Sequence, residues 1–339
     1  METRSSYGRQ ALMAGVCIGA LLLVNHGVTT YMNPYVLILV CYCGVNIILG
    51  VSLNLVNGFT GQFSIGHAGF MAVGAYVSAA VSTFGVHPWL QSISSSLPPL
   101  MGLGLLNLSF LGIVLVGGLG ASVFGYLIGI PSLRLRGDYL AVVTLGFGEI
   151  IRVMILNIKA VGGARGFINI PVWTNFFWIY LFAALVVLLS FRLLHSYHGR
   201  AFLSVREDEI AAESMGIDIA DYKVKAFVLS SFFAGVAGAL FGHFTAYLNP
   251  GSFTFLKSFE IIIIVVLGGM GSISGAVIAA VITTLLPEAL RPLQTLTQVD
   301  FRMVIYPIIL LSLMLLRPQG IMGHKEIGDL FWRSSRKSL

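Results

Sequence analysis

The sequence predicts an all-α, polytopic bundle of about 8–10 membrane-crossing helices with both termini in the cytoplasm. Three observations predict it. Of the 339 residues, 57% are apolar and only 10% are charged, where a soluble domain carries about 25% charged residues. Mean hydropathy is +0.90, and the chain holds many apolar runs near the roughly 20 residues that cross a bilayer as a helix. Runs such as Ile261–Leu267 and Tyr180–Ser190 do not alternate, so they do not read as the short alternating strands of a membrane barrel. The 39 glycines suit close helix packing in lipid.

Taken in order, candidate spans cover 11–28, 34–55, 64–84, 100–130, 139–157, 175–194, 224–247, 258–286 and 302–316. The first run follows Arg4 and Arg9 and has no clear small-residue cleavage site, so it reads as a retained span. The stretches 100–130 and 258–286 exceed one simple crossing and read as a tilted helix, a broken helix or a helical pair. Gly268, Gly269, Gly271 and Gly275 interrupt the second, and a break there requires protein or water around the freed backbone. The expected organisation is a cytoplasmic N-terminus (1–10), a transmembrane region (11–316) with a cytoplasmic loop at 195–224, and a cytoplasmic tail (317–339).

Charge placement sets the expected orientation. The net charge is +6, but Lys and Arg sit in short loops between apolar spans, which reads as membrane topology rather than nucleic-acid binding. The N-terminus, the Arg134–Arg136 loop, the Arg192–Lys225 loop and the tail after Leu316 hold 14 of the 20 basic residues. Cys17, Cys41 and Cys43 all lie in apolar spans, so neither disulfides nor zinc sites are expected. There is no Walker A motif and no nucleophile, metal or dinucleotide signature, so the chain is expected to be non-catalytic and to bind no cofactor or metal.

One segment departs from the apolar pattern. Arg200–Lys225 holds six of the fourteen acidic residues: Glu207, Asp208, Glu209, Glu213, Asp218 and Asp221. Residues 209–215 favour a helix that Gly216 can stop, with Ile210 and Met215 as apolar contacts. This segment resembles the coupling loop of ABC importer permeases, whose Glu-Ala-Ala is followed three residues later by Gly. Here the run is Ile210-Ala211-Ala212-Glu213-Ser214-Met215-Gly216, with Ile in place of the first Glu and Glu209 beside it.

Further segments extend the likeness, and they occur in order across 45–322: NLVNGFTGQFSIGHAGFMAVGAY (54–76), SLRLRGDYLAVVTLGFGEIIRVMILN (132–157), REDEIAAESMGI (206–217), SFTFLKSFEIIIIVVLGGMGS (252–272) and RPQGIM (317–322). Together they resemble LivM-type permeases of branched-chain amino acid importers, and urea importer permeases share much of the pattern. The resemblance implies a second homologous LivH-type permease, two ATPase subunits that use ATP and Mg, an extracytoplasmic solute-binding protein and a bacterial inner membrane. It implies that Arg206, Glu207, Asp208, Glu209, Ala211, Ala212 and Gly216 meet an ATPase, with Ala211 and Ala212 small enough to let the helix sit close.

Candidates for the translocation path are Asn57, Gln62, Ser64 and His67, set among glycines, with Phe59, Phe63 and Phe70 as apolar contacts. The alternative for this segment is helix packing and a re-entrant turn. Glu149 and Arg152 lie three apart and share a helix face, as path lining or as a self-satisfied ion pair. The pairs Gly125/Gly129, Gly238/Gly242 and Gly271/Gly275 favour close helix crossing, read as packing within the chain. Arg134, Arg136 and Asp138 form a second cytoplasmic contact candidate. The solute stays open among branched-chain amino acids, other amino acids, short amides and urea. Rival classes are an ion-coupled transporter, which needs intramembrane carboxylates, a channel, and a membrane enzyme.

Overall fold

The computed structural model describes residues 19, 21–28, 30–94, 98–132, 138–291, 302–323 and 326. Arg134, Arg136 and Cys17 lie outside the described residues. Helical residues 21–28 lead to α1 (Pro34–Asn57). Its first position is Pro34, which has no amide proton to satisfy, and the Asn33 side chain accepts from Tyr35 N. α2 (His67–Ala80) continues through a π-helical turn (Val81–Val86) into α3 (His87–Ser94). Then follow α4 (Pro99–Ser132), α5 (Asp138–Asn157) and α6 (Phe176–Leu194). Two short helices, α7 (Tyr197–Glu207) and α8 (Glu209–Ser214), precede α9 (Ile219–Thr245). The described chain closes with α10 (Phe255–Gly268), α11 (Ile273–Ala289) and α12 (Arg302–Leu316).

Among the described residues, six helices are long and apolar enough to cross a membrane, and α10, α11 and α12 are shorter. The expected span at 224–247 begins earlier, at Ile219, because the Asp218 carboxylate accepts from Asp221 N and caps the helix. The run 100–130 is one helix rather than a broken one. Its membrane-length part, Gly104–Pro131, extends about 42 Å at 1.5 Å per residue, well beyond a 30 Å hydrocarbon core. The run 258–286 is a helical pair, α10 and α11, with the turn at Gly269–Ser272.

α9 is the centre of the bundle. It packs on α4, α2 and α1, while α1 also carries α6, α10 and α11. Two-thirds of the membrane-length window of α9 is buried (67%), against 28% for α5 and for α6, which therefore lie at the periphery. Apolar burial gains little between helices in lipid, so close approach of backbones has to supply contact. Gly74 of α2 lies against the backbone of Gly235, and a Cβ on Gly238 would strike the Met71 carbonyl. Gly125 sits against Ser231 and Gly242 against Leu248. Gly125, Gly238 and Gly242 thus serve contacts within the chain, and Gly129 is buried. Gly271/Gly275 is not a helix-crossing pair. Gly271 has φ +94° in the turn, and only Gly275 is helical, at the start of α11 against Gly268.

Candidate functional site

The site is built on two interruptions of helix that meet. The first is the non-helical segment 58–66 between α1 and α2. Asn57 closes it internally: its Oδ1 accepts from Ser64 N (3.2 Å) and its Nδ2 donates to Ser64 O (3.4 Å). Ile65 N donates to Thr144 Oγ1 of α5 (3.1 Å), and Ala68 N donates to Ser258 Oγ of α10 (3.1 Å). His67 Nε2 lies 2.8 Å from Ser52 Oγ, while Ser230 Oγ of α9 donates to Ser52 O (2.6 Å). Asn57, Ser64 and His67 are all buried, and the Asn57 amide, the Ser64 backbone and His67 Nε2 are engaged within the chain. Phe59 and Phe70 are buried, whereas Phe63 is exposed. Gln62 differs from its neighbours. Its side chain is buried, and among the described residues neither Oε1 nor Nε2 has a partner.

The second interruption is the α10–α11 turn, and much of its backbone is bonded within the chain. Asn54 Oδ1 accepts from Gly271 N, and Asn54 Nδ2 donates to Ser272 O, both at 2.9 Å. The chain after α12 completes the turn: Ile321 N donates to Leu267 O (2.8 Å) and Met322 N to Gly268 O (3.1 Å). These are carbonyls that the end of α10 leaves without helical partners. Glu326 accepts from Ile273 N (2.6 Å) and Ser274 N (3.0 Å) at the start of α11, where a carboxylate is favoured by the helix dipole. Asn54 and the close approach of Gly58 to Gly271 join the two interruptions.

The acidic loop forms the helix expected of it, one residue shorter. The Asp208 carboxylate accepts from Ile210 N (2.9 Å) and Ala211 N (3.1 Å). At the far end Gly216 has φ +82°, Gly216 N donates to Glu213 O and Ile217 N to Ala212 O, the paired bonds of a glycine C-cap. Glu209 pairs with Lys223 Nζ at 2.5 Å. Ile210 and Met215 stand out at 78% and 83% exposed. Ala211 is exposed, but Ala212 is buried against the chain itself, so of the two small residues only Ala211 faces outward. Arg206 turns away from α8. Its Nη1 donates to Gly58 O (3.0 Å), and its aliphatic stem lies over Gly61, which has φ +70° and where a Cβ would stand 3.1 Å from Arg206 Cγ. Its Nε and Nη2 donate to Glu207. Arg206 therefore ties the acidic loop to the first interruption.

Glu149 and Arg152 share a face of α5 and form an ion pair at 2.7 Å. The other Glu149 oxygen accepts from Phe255 N (3.1 Å) and caps the start of α10. Glu149 also lines a small pocket with Ile65, Ala68, Gly148 and Ser258, where the starts of α2 and α10 converge. Among the described residues no group of His, Cys, Asp and Glu is placed to hold a metal ion.

A profile described as branched-chain amino acid transport system / permease component matches residues 35–314. This chain belongs to the branched-chain amino acid transport permease family. The permease is 36% identical over 311 residues to the high-affinity branched-chain amino acid transport system permease protein LivM of Escherichia coli, covering 81% of this chain and 67% of that protein. It is 25% identical to a probable LivM of Methanocaldococcus jannaschii (84% and 92% covered). It is also 27% identical to LivH of Salmonella typhimurium (83% and 92% covered), named as a permease protein of the same kind of transport system. The two names, LivM and LivH, indicate a two-permease system. No solved structure matches the chain. Six membrane-length helices and this kinship make the permease a multi-pass protein of the bacterial inner membrane.

Sequence reasoning did not single out Ser52, Thr144, Ser230, Ser258 or Glu326. Each is one polar residue whose partner lies far away in sequence, and no spacing pattern marks such a pair. The available signal was the occurrence of hydroxyls inside apolar runs, where each must find an acceptor.

Proposed function

We propose that this chain is the membrane-spanning subunit of an ATP-driven importer that carries leucine, isoleucine, valine or related amino acids into the cytoplasm. Both termini and the α7–α8 loop lie on the cytoplasmic side. A homologous second permease completes the path, an extracytoplasmic binding protein delivers the solute, and two separate subunits bind ATP and Mg. This chain does no catalysis. The observation that carries the reading is the pairing of an outward apolar face with an inward tether. α8 and its C-cap present Ile210 and Met215 to the outside, while Arg206, three residues before the start of α8, holds Gly58 at the junction of the two interrupted segments.

Alternating access follows from that arrangement. ATP-driven approach of the ATPase subunits moves α8, the Arg206 bond carries the displacement to segment 58–66, and α6 and α9 on either side of the loop tilt with it. The solute must bind the two states with different affinity for the cycle to do work. The test replaces Ile210 and Met215 by Asp, because neither side chain is buried in the chain itself. Recovery of the ATPase subunits with the purified permease, and leucine uptake, should both collapse. Unchanged recovery and uptake would remove α8 as the docking helix.

A further inference from the structure

α5 and α6 are equally peripheral, yet their outward faces differ. α6 exposes Leu185, Leu188, Leu189 and Phe191, with Arg192 only at its last turn. α4 exposes Leu108, Leu115, Leu119, Val123 and Leu127. These are surfaces that lipid tails satisfy. α5 exposes Tyr139, Val142, Ile150 and Val153 along one stripe, but Glu149 and Arg152 flank it with side chains 28% and 27% exposed. Glu149 lies about 17 Å along the helix from Asp138 and about 12 Å from Asn157, at 1.5 Å per residue. A charged pair at that depth faces protein or a water-filled space rather than lipid.

The guanidinium sharpens this. Arg152 Nε donates to Glu149 one helical turn back, the ordinary lean of a helical side chain, and the second Glu149 oxygen is held by Phe255 N. Among the described residues the two Nη atoms of Arg152 have no acceptor, so four strong N–H donors at membrane depth await one. Gly146 lies in the same stripe, and a Cβ there would meet nothing within 4 Å. A lipid-facing glycine contributes little, whereas at a helix crossing it lets a second backbone come close.

We propose that the stripe of α5 from Tyr139 through Val142, Gly146 and Ile150 to Val153 is the surface on which the second permease packs, and that this partner supplies an oxygen acceptor to Arg152. The proposal rests on the two-permease reading above and adds which helix faces the partner. The faces of α4 and α6 are left to lipid.

The test uses the complete importer in native membranes. A photoreactive amino acid is placed at Val142 or Val153 of α5, and in parallel at Leu185 or Leu188 of α6. The α5 positions should give adducts with the second permease at least about tenfold more abundant than the α6 positions. Equal or greater adduct formation from α6, or only lipid adducts from α5, overturns the assignment of the face. Adducts of α5 with a second copy of this chain overturn the identity of the partner. A second permease that fails to co-purify with the unmodified chain refutes the two-permease reading itself, and the inference falls with it.

A paired variant, Glu149→Gln with Arg152→Gln, keeps an acceptor for Phe255 N while removing both charges. It should lower the co-purified second permease by about tenfold or more, the usual scale for losing a charge-assisted bond at an interface. The thermal stability of the chain by itself should not fall. Undiminished co-purification removes Arg152 from the interface.

Discussion

Replacing Arg206 by Ala removes the bond from the acidic loop to Gly58 O and leaves α8 with its own caps. A hydrogen bond with a charged partner contributes about 1.5–3 kcal/mol. The Arg206 side chain is 24% exposed, so the lower part of that range, about 1.5–2 kcal/mol, applies here. The Glu207 partner is 70% exposed, and a pair of that kind adds little. At about 1.4 kcal/mol per tenfold, the equilibrium linking the position of α8 to that of segment 58–66 weakens by about 10- to 30-fold. The expected result is an assembled importer that hydrolyses ATP but moves about tenfold less leucine per ATP. Parallel measurement of hydrolysis and uptake in proteoliposomes gives that ratio, with Glu207→Gln as a control that should leave it within about twofold. An unchanged ratio in Arg206→Ala would refute transmission through this bond. Loss of assembly would show that Arg206 belongs to the docking surface instead.

Asn54→Leu should lower the thermal stability of the purified permease by several degrees, because it strands Gly271 N at about 1–3 kcal/mol and leaves Ser272 O with Ala276 N as its remaining donor; calorimetry in detergent checks it. Gly238→Val should abolish recoverable folded protein, since the new side chain meets the Met71 carbonyl, whereas Gly146→Ala, with open space around it, should leave the chain's own stability unchanged. Asp208→Ala should weaken α8 by about 1 kcal/mol through loss of its cap and reduce ATPase recovery, while Asp208→Asn should retain most of both.

Much of the fold was legible in the apolar runs. The spans expected at 34–55, 139–157, 175–194 and 302–316 agree with α1, α5, α6 and α12 to within a few residues. The glycines at 268–271 marked the turn between α10 and α11. The form of α4 was not decidable, because a run of that length reads equally as a tilted helix, a broken helix or a helical pair. Gly117 and Gly125 lie against α2 and α9, and the helix runs straight through them. The α8 helix and its Gly216 stop were legible because capping is local, and Ala212 was misplaced because its direction depends on how the loop folds back. The site was the least legible part. Asn57, Ser64 and His67 were noticed for polarity in an apolar run, but their partners, and the bonds Asn54–Gly271 and Arg206–Gly58, join residues up to 217 positions apart. No periodicity encodes such pairings. The role of the tail at the α10–α11 turn was hidden for the same reason.

Uptake of labelled leucine into proteoliposomes holding the full importer, with ATP inside and binding protein outside, tests the functional reading most directly. ATP-dependent accumulation that unlabelled isoleucine and valine suppress, and that urea does not, is the expected result. Uptake that ignores ATP, or that urea suppresses and isoleucine does not, would contradict it.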